Sequence, residues 1–209
     1  MLITFEGIDF SGKSTQVKLL AQRLREDGVE PIVLREPGGT AISEKVRAIL
    51  LDGQNDAMSL KAELLLFSAA RTQLVTEVIK PALQRGTIVI CDRFYDSTTA
   101  YQGYGRGIAL REIEQINAIA TDGTRPDLTL FIHIGIDELA GRSARAGIPA
   151  DRMESSGKQF YQRVIDGYLA IAQQEPDRFR IIDGTLLVDQ IHTMIYAELS
   201  PKLGQDKKE

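Results

Sequence analysis

Apolar and polar positions alternate along this chain in two rhythms. Short runs that are apolar almost throughout predict five strands: "LITFE" at 2–6, "PIVLRE" at 31–36, "TIVICD" at 87–92, "LTLFIHI" at 128–134 and "RFRIIDG" at 178–184. The third is β-branched and apolar on consecutive positions, the pattern of a strand covered on both faces. The stretches between them carry the helical repeat. Val17, Leu20, Ala21 and Leu24 share one face of a predicted helix at 13–26, which Gly28 ends. Further helices are predicted at 41–51, at 60–79 with a stop near Pro81, and at 109–121, 137–145, 157–173 and 186–199. The tail "PKLGQDKKE" at 201–209 is expected to fray. Strands separated by helices form βαβ units. The expectation is therefore an α/β fold in one domain spanning 1–209, a parallel five-stranded sheet with helices on both faces. Ligands of such sheets sit at the carboxyl ends of strands. The segments that follow 6, 36, 92 and 134 fall there.

Composition narrows the function classes. The 209 residues are 43% hydrophobic and 26% charged, as in ordinary globular proteins. No apolar stretch approaches the length of a membrane span. The first residues show no basic region or small-residue cleavage site, so no secretory signal is expected. The single cysteine, Cys91, excludes an internal disulfide and suits a reducing cytoplasm. A net charge of −4 argues against a nucleic-acid-binding surface. His133, His192 and Cys91 make no zinc cluster.

The candidate chemistry begins at "FEGIDFSGKSTQ", residues 5–16. Gly7-x-x-x-x-Gly12-Lys13-Ser14, between a predicted strand and a predicted helix, has the spacing of a phosphate-binding loop. Gly7, Ile8, Asp9, Phe10, Ser11, Gly12, Lys13, Ser14 and Thr15 form the candidate nucleotide-phosphate site. Its backbone N–H groups can wrap phosphate oxygens, and the following helix points its positive end at them. Lys13 can reach the β- and γ-phosphates, and the Ser14 hydroxyl can ligate Mg²⁺. Asp92, ending the third strand, is the second candidate metal residue.

Other segments suggest a phosphoryl acceptor. "DRFYDSTTAYQG" at 92–103 places Arg93 beside Asp92 and adds Ser97, Thr98, Tyr101 and Gln102. A guanidinium there suits a monophosphate. Phe67 and Arg71, four apart, share a helical face on which one can stack on a planar base while the other bonds its exocyclic oxygen. "REPGGT" at 35–40 is a tight turn whose Pro37 can wall a pocket. Asp9 is unusual beside phosphates and fits a sugar hydroxyl or metal-bound water. Arg142, Arg145 and Arg152, among Gly147 and Pro149, suggest a small lid at about 140–154 that neutralises charge during transfer. A nucleotide switch is disfavoured because the Asn-Lys-x-Asp base-reading motif is missing.

Taken in order, "FEGIDFSGKSTQ", "REPGGT", "LLFSAARTQ", "DRFYDSTTAYQG" and "RSARAGIPADRME" resemble the thymidylate kinases, across residues 2 to about 170. The resemblance implies a P-loop NTPase fold and phosphorylation of dTMP to dTDP by ATP with Mg²⁺, in a cytoplasmic homodimer; the charge and the short apolar runs lead to no expected nucleic-acid or membrane partner. It implies that Asp9 faces the sugar 3′-hydroxyl, Phe67 stacks on thymine and Arg71 contacts its O4. It also implies that Arg93 grips the dTMP phosphate, Thr98 lies near thymine N3, and Tyr101 crowds the sugar 2′ position. Some members carry a basic residue where this chain has Phe10. The compensating catalytic charge is then expected from Arg142, Arg145 or Arg152, as in the bacterial type.

Overall fold

The computed structural model describes residues 1–147 and 157–203. Along the chain run β1 (Leu2–Glu6), α1 (Lys13–Glu26), β2 (Ile32–Arg35), α2 (Ala41–Leu51), α3 (Leu60–Leu74) and α4 (Lys80–Gln84). There follow β3 (Val89–Asp92), α5 (Tyr95–Thr98), α6 (Leu110–Thr121), β4 (Leu128–His133), α7 (Ile136–Ala146), α8 (Lys158–Gln174), β5 (Phe179–Asp183) and α9 (Val188–Leu203). The five strands form one parallel sheet in the order β2-β3-β1-β4-β5, as expected for the α/β class. Because β1 is central and the chain leaves it first to one side and then to the other, a crevice opens at its carboxyl end.

Strand alternation sends successive side chains to opposite faces. Ile3 and Phe5 pack with Leu20 and Leu24 of α1 and with Ile191, Ile195 and Leu199 of α9. On the opposite face, Leu2 and Val89 meet Leu74, Ile79 and Phe94. Phe131 joins Tyr101, Phe160, Tyr168 and Phe179 there. The register pairs Phe5 with both Asp92 and Leu130. The ends of β1 and β3 therefore lie side by side, and the segments after them are forced together.

Three elements differ from the sequence expectation. The helix at 60–79 does not stop near Pro81; a π-helical turn (Val75–Ile79) joins α3 to α4, and Pro81 lies inside α4. A proline removes one donor and crowds the carbonyl four residues back. The wider turn, with the Lys80 N–H bonded to the Val75 carbonyl, absorbs the misfit. The last helix runs to Leu203 through Pro201, so 201–203 are helical rather than frayed. Leu203 packs against the core under α1 and α9, which holds that turn. Residues 204–209 of the expected tail lie outside the described residues. Finally, α5 and a π-helical segment (Thr99–Gly105) cover a stretch that read only as a motif.

Candidate active site

The loop after β1 closes on the N-terminus of α1. A Cβ at Gly7, whose φ is +143°, would lie 2.6 Å from the Ile132 carbonyl oxygen of β4. Glycine is therefore needed there to let the loop pass the neighbouring strand. Gly12, at φ +100°, opens α1, and its carbonyl accepts the Thr15 and Gln16 amides. The Ile8 side chain sits in the core, so that residue offers the site only its backbone. Lys13 is buried, and its Nζ donates to the Ile8 carbonyl at 2.8 Å. Burial and the neighbouring Arg93 push its pKa down to about 8. The Ser14 hydroxyl donates to Asp92 Oδ2 at 2.6 Å, joining the two candidate metal residues. A cleft of about 450 Å³ is lined by Asp9 to Thr15 together with Arg35, Glu36, Arg47, Asp92, Arg93 and Arg142.

A second pocket adjoins it. Asp9, Pro37, Phe67, Arg71, Arg93, Ser97, Thr98, Tyr101 and Gln102 all line it, with Glu36, Arg47 and Leu51. Asp9, Glu36, Arg47 and Arg93 line both cavities and mark where they meet. Arg93 takes a left-handed backbone, φ +72°. Its Nη1 donates to the Gly7 carbonyl at 2.8 Å, and its Nη2 to Asp9 Oδ1 at 2.6 Å. Asp9 Oδ2 also accepts the Tyr161 hydroxyl at 2.9 Å. Burial alone would raise the Asp9 pKa, but Arg93, Lys13 and Tyr161 together hold it below the usual carboxylate range.

Arg71 is fixed on three sides. Its Nε donates to Glu36 Oε2 at 2.7 Å, Nη1 to Thr98 Oγ1 at 2.8 Å and Nη2 to the Phe94 carbonyl at 3.1 Å. Thr40 caps α2 by accepting the Ser43 amide, which anchors the "REPGGT" turn carrying Glu36 and Pro37. The Tyr101 ring meets Phe160, Tyr161 and Tyr168 edge-on, and the Arg93 guanidinium carbon lies 5.1 Å from its centre. The Ser97 hydroxyl donates to Glu6 Oε2 at 2.6 Å, and Gln102 Nε2 donates to Glu63 Oε1 at 3.0 Å.

The arginines expected in a lid divide. Arg142 is docked: Nη1 donates to the Phe10 and Ser11 carbonyls at 3.2 and 3.3 Å, and Nη2 to the Gly184 carbonyl at 2.7 Å. It thus touches the phosphate loop directly. Arg145 is exposed beside Glu138. Arg152 lies outside the described residues.

Sequence reasoning missed Glu6, Glu36, Arg47 and Tyr161. Glu36 stood inside a quoted motif, but nothing in the spacing tied it to Arg71. Tyr161 offered no signal beyond the apolar face of its helix.

The sequence model described as Thymidylate kinase matches residues 5–195. A thymidylate kinase of Chlorobaculum parvum is 50% identical over 207 residues, covering 95% of each chain. One from Geotalea uraniireducens is 47% identical over 208 residues, covering 97% of this chain and 98% of the relative. The crystal structure of thymidylate kinase from Ehrlichia chaffeensis superposes with a TM-score of 0.76 at 39% identity, over 96% of this chain and 98% of that one. Two adjoining clefts, one rimmed by the candidate phosphate-binding loop and the other walled by arginines and aromatics, sit on a fold shared with the Ehrlichia structure, and the chain belongs to the thymidylate kinase family, whose members phosphorylate dTMP with ATP.

Proposed function

We propose that the loop cleft holds the ATP phosphates and the adjoining pocket holds dTMP, with both phosphate ends meeting at Arg93. The observation that carries this is the shared wall: Asp9 and Arg93 line both cavities. The products are dTDP and ADP, and dTDP leads on to dTTP. The γ-phosphoryl group passes in line to an oxygen of the dTMP phosphate, which is already anionic, so no general base is needed. Catalysis is positioning plus charge neutralisation. Lys13 and Arg93 supply charge at the junction. Arg142 supports the loop from outside, and Arg145 and Arg152 extend the same basic segment, the lid assigned to about 140–154 of a single kinase domain. In the dTMP pocket, Phe67 stacks on the base beside Arg71 and Thr98. Ser97, Gln102 and Pro37 complete the wall, Asp9 meets the 3′-hydroxyl, and Tyr101 fills the space of a 2′-hydroxyl.

Ser14 and Asp92 are hard oxygen donors held 2.6 Å apart, which suits Mg²⁺, an ion that keeps waters and takes few protein ligands. Bound there, Mg²⁺ would neutralise phosphate charge. The proposal extends to a cytoplasmic homodimer. Leu65 of α3 is 56% exposed and is the candidate apolar contact for a second copy.

A coupled assay with ATP, Mg²⁺ and dTMP, run for the native chain and Arg93→Ala, tests the junction. The expected loss in kcat/KM for dTMP is about a hundredfold or more. Unchanged turnover in Arg93→Ala would show that the acceptor phosphate lies elsewhere. Competition among dTMP, dUMP, UMP and AMP tests the base and sugar assignments.

A further inference from the structure

We propose that Glu6 is a positioning residue for Arg93, holding both its backbone and its guanidinium through the turn after β3. The inference rests on reading Arg93 as the residue at the acceptor phosphate.

Glu6 is fully buried at the end of β1. Its carboxylate collects three donors. Oε1 accepts the Phe94 N–H at 2.8 Å, and Oε2 accepts the Ser97 hydroxyl at 2.6 Å and the Tyr168 hydroxyl at 2.9 Å. Arg93, one residue before Phe94, has φ +72°, a region that side chains other than glycine rarely adopt. Such a conformation persists only where its surroundings fix it. Here the amides on both sides of the Arg93 Cα are tied down: the Arg93 N–H bonds the Phe5 carbonyl at 2.9 Å, and the Phe94 N–H bonds Glu6. Phe5 and Glu6 are consecutive residues of one central strand, so β1 itself sets the bend.

The guanidinium is reached by a second route. Arg93 Nη1 donates to Ser97 Oγ at 3.4 Å, while the Ser97 hydroxyl donates onward to Glu6. The arrangement is complete when Glu6 is ionised, the form it takes above its pKa of about 7. With a carboxylate at position 6, the Ser97 proton is turned away from Arg93, and the serine oxygen presents a lone pair to it. A side-chain amide there would bring its own N–H to the cluster, and one of the three donors would lose its partner. Keeping a carboxylate in this place opposes stability, since burial and nearby Asp96 both disfavour its charged form. The tie to Arg93 is the feature that a neutral side chain of similar shape could not reproduce.

The test uses full-length Glu6→Gln, Ser97→Ala, Arg93→Ala and the double variant Glu6→Gln/Arg93→Ala, with dTMP and ATP varied separately and melting followed alongside. Glu6→Gln is expected to lower kcat/KM for dTMP about tenfold or more while the KM for ATP stays within about twofold. Ser97→Ala should move the same parameter in the same direction, by less. In the Arg93→Ala background, Glu6→Gln should cause no further loss, because the residue it acts through is gone. Additive losses, or a lowered melting temperature with native dTMP kinetics, overturn the proposal. If Glu6→Gln does not fold, Glu6→Asp in the presence and absence of Arg93 completes the same cycle, and additivity there overturns it equally. Native dTMP kinetics in Arg93→Ala alone would overturn the acceptor reading and this inference with it. A large loss there with an additive Glu6→Gln overturns this inference only.

Discussion

Arg71 and Glu36 make a nearly inaccessible ion pair, with side chains 2% and 4% exposed, on the wall of the pocket proposed for dTMP. One carboxylate oxygen, Glu36 Oε1, has no partner among the described residues. Burial raises the Glu36 pKa, and Arg71 opposes that rise. Removing one member of such a pair leaves the other charge stranded and costs about 3–5 kcal/mol, whereas replacing both by apolar groups of similar size is often neutral or better. The stability role and the proposed base-reading role of Arg71 can therefore be separated. Arg71→Met alone should lower the melting temperature sharply. Arg71→Met with Glu36→Leu should recover most of that loss. The kcat/KM for dTMP should stay down at least about tenfold, equivalent to about 1.4 kcal/mol, in both. Melting curves beside steady-state kinetics check this. Recovery of turnover together with stability would reduce Arg71 to a structural residue.

Among the elements, the π-helical segment Thr99–Gly105 bears most directly on the specificity proposed above, because it carries Tyr101 and Gln102 into the pocket. It lies flush on α8. A Cβ at Gly105 would fall 2.7 Å from the Phe160 ring and 2.9 Å from a Val164 methyl. Gly105→Ala should cost about 1–3 kcal/mol by overpacking. By lifting the segment it should raise the KM for dTMP while leaving that for ATP near native, since the phosphate loop approaches from β1. An equal rise in both would mean that the segment supports the whole crevice. This element was illegible in the sequence for the same reason. Ser97, Thr98, Thr99, Gly103 and Gly105 are weak helix formers, and contact with α8 and α6 makes the stretch helical. The strands were legible because continuous apolar runs such as 87–92 suit a sheet covered on both faces. The loop at 7–14 was legible because its glycine spacing has few other uses. Phe67 and Arg71 could be paired because four residues bring two side chains onto one helical face. No such rule links Glu6 to Tyr168 or Asp9 to Tyr161, which meet only once the sheet has formed. The charge on Arg142 was likewise visible, but its docking on the Phe10, Ser11 and Gly184 carbonyls depends on α7 lying across the loop.

The molecule as a whole places several buried charges beneath one end of its sheet, and this gives its stability a pH dependence with a definite sign. Burial first, and then Asp96, raise the Glu6 pKa to about 7, against the opposing pull of Ser97, Arg93 and the Phe94 amide. In the unfolded chain the same group titrates near 4.5. Between those values the native state binds more protons than the unfolded state, so the Glu6 contribution falls as pH rises from about 5 to about 7. Glu36, also raised by burial, adds to that decline. Asp9, Glu44 and Asp183, all held below their usual range, contribute stability that is lost only in more acid solution. Partly buried His192, pushed down by burial and Arg23, works in the opposite direction near pH 6.5. The clean observable is therefore the difference between the native chain and Glu6→Gln, in which these other groups cancel. That difference should shift in favour of Glu6→Gln as pH rises from 5 to 7. Each pH unit of unequal binding of one proton is worth about 1.4 kcal/mol, and about 2–4 °C in melting temperature per kcal/mol applies to a chain of this size. Melting temperatures of both proteins, measured without nucleotide in a constant-ionic-strength buffer series, read it directly. Two curves that run parallel from pH 5 to 7 would mean that Glu6 remains fully ionised in the folded protein throughout, with its three donors and Arg93 outweighing burial.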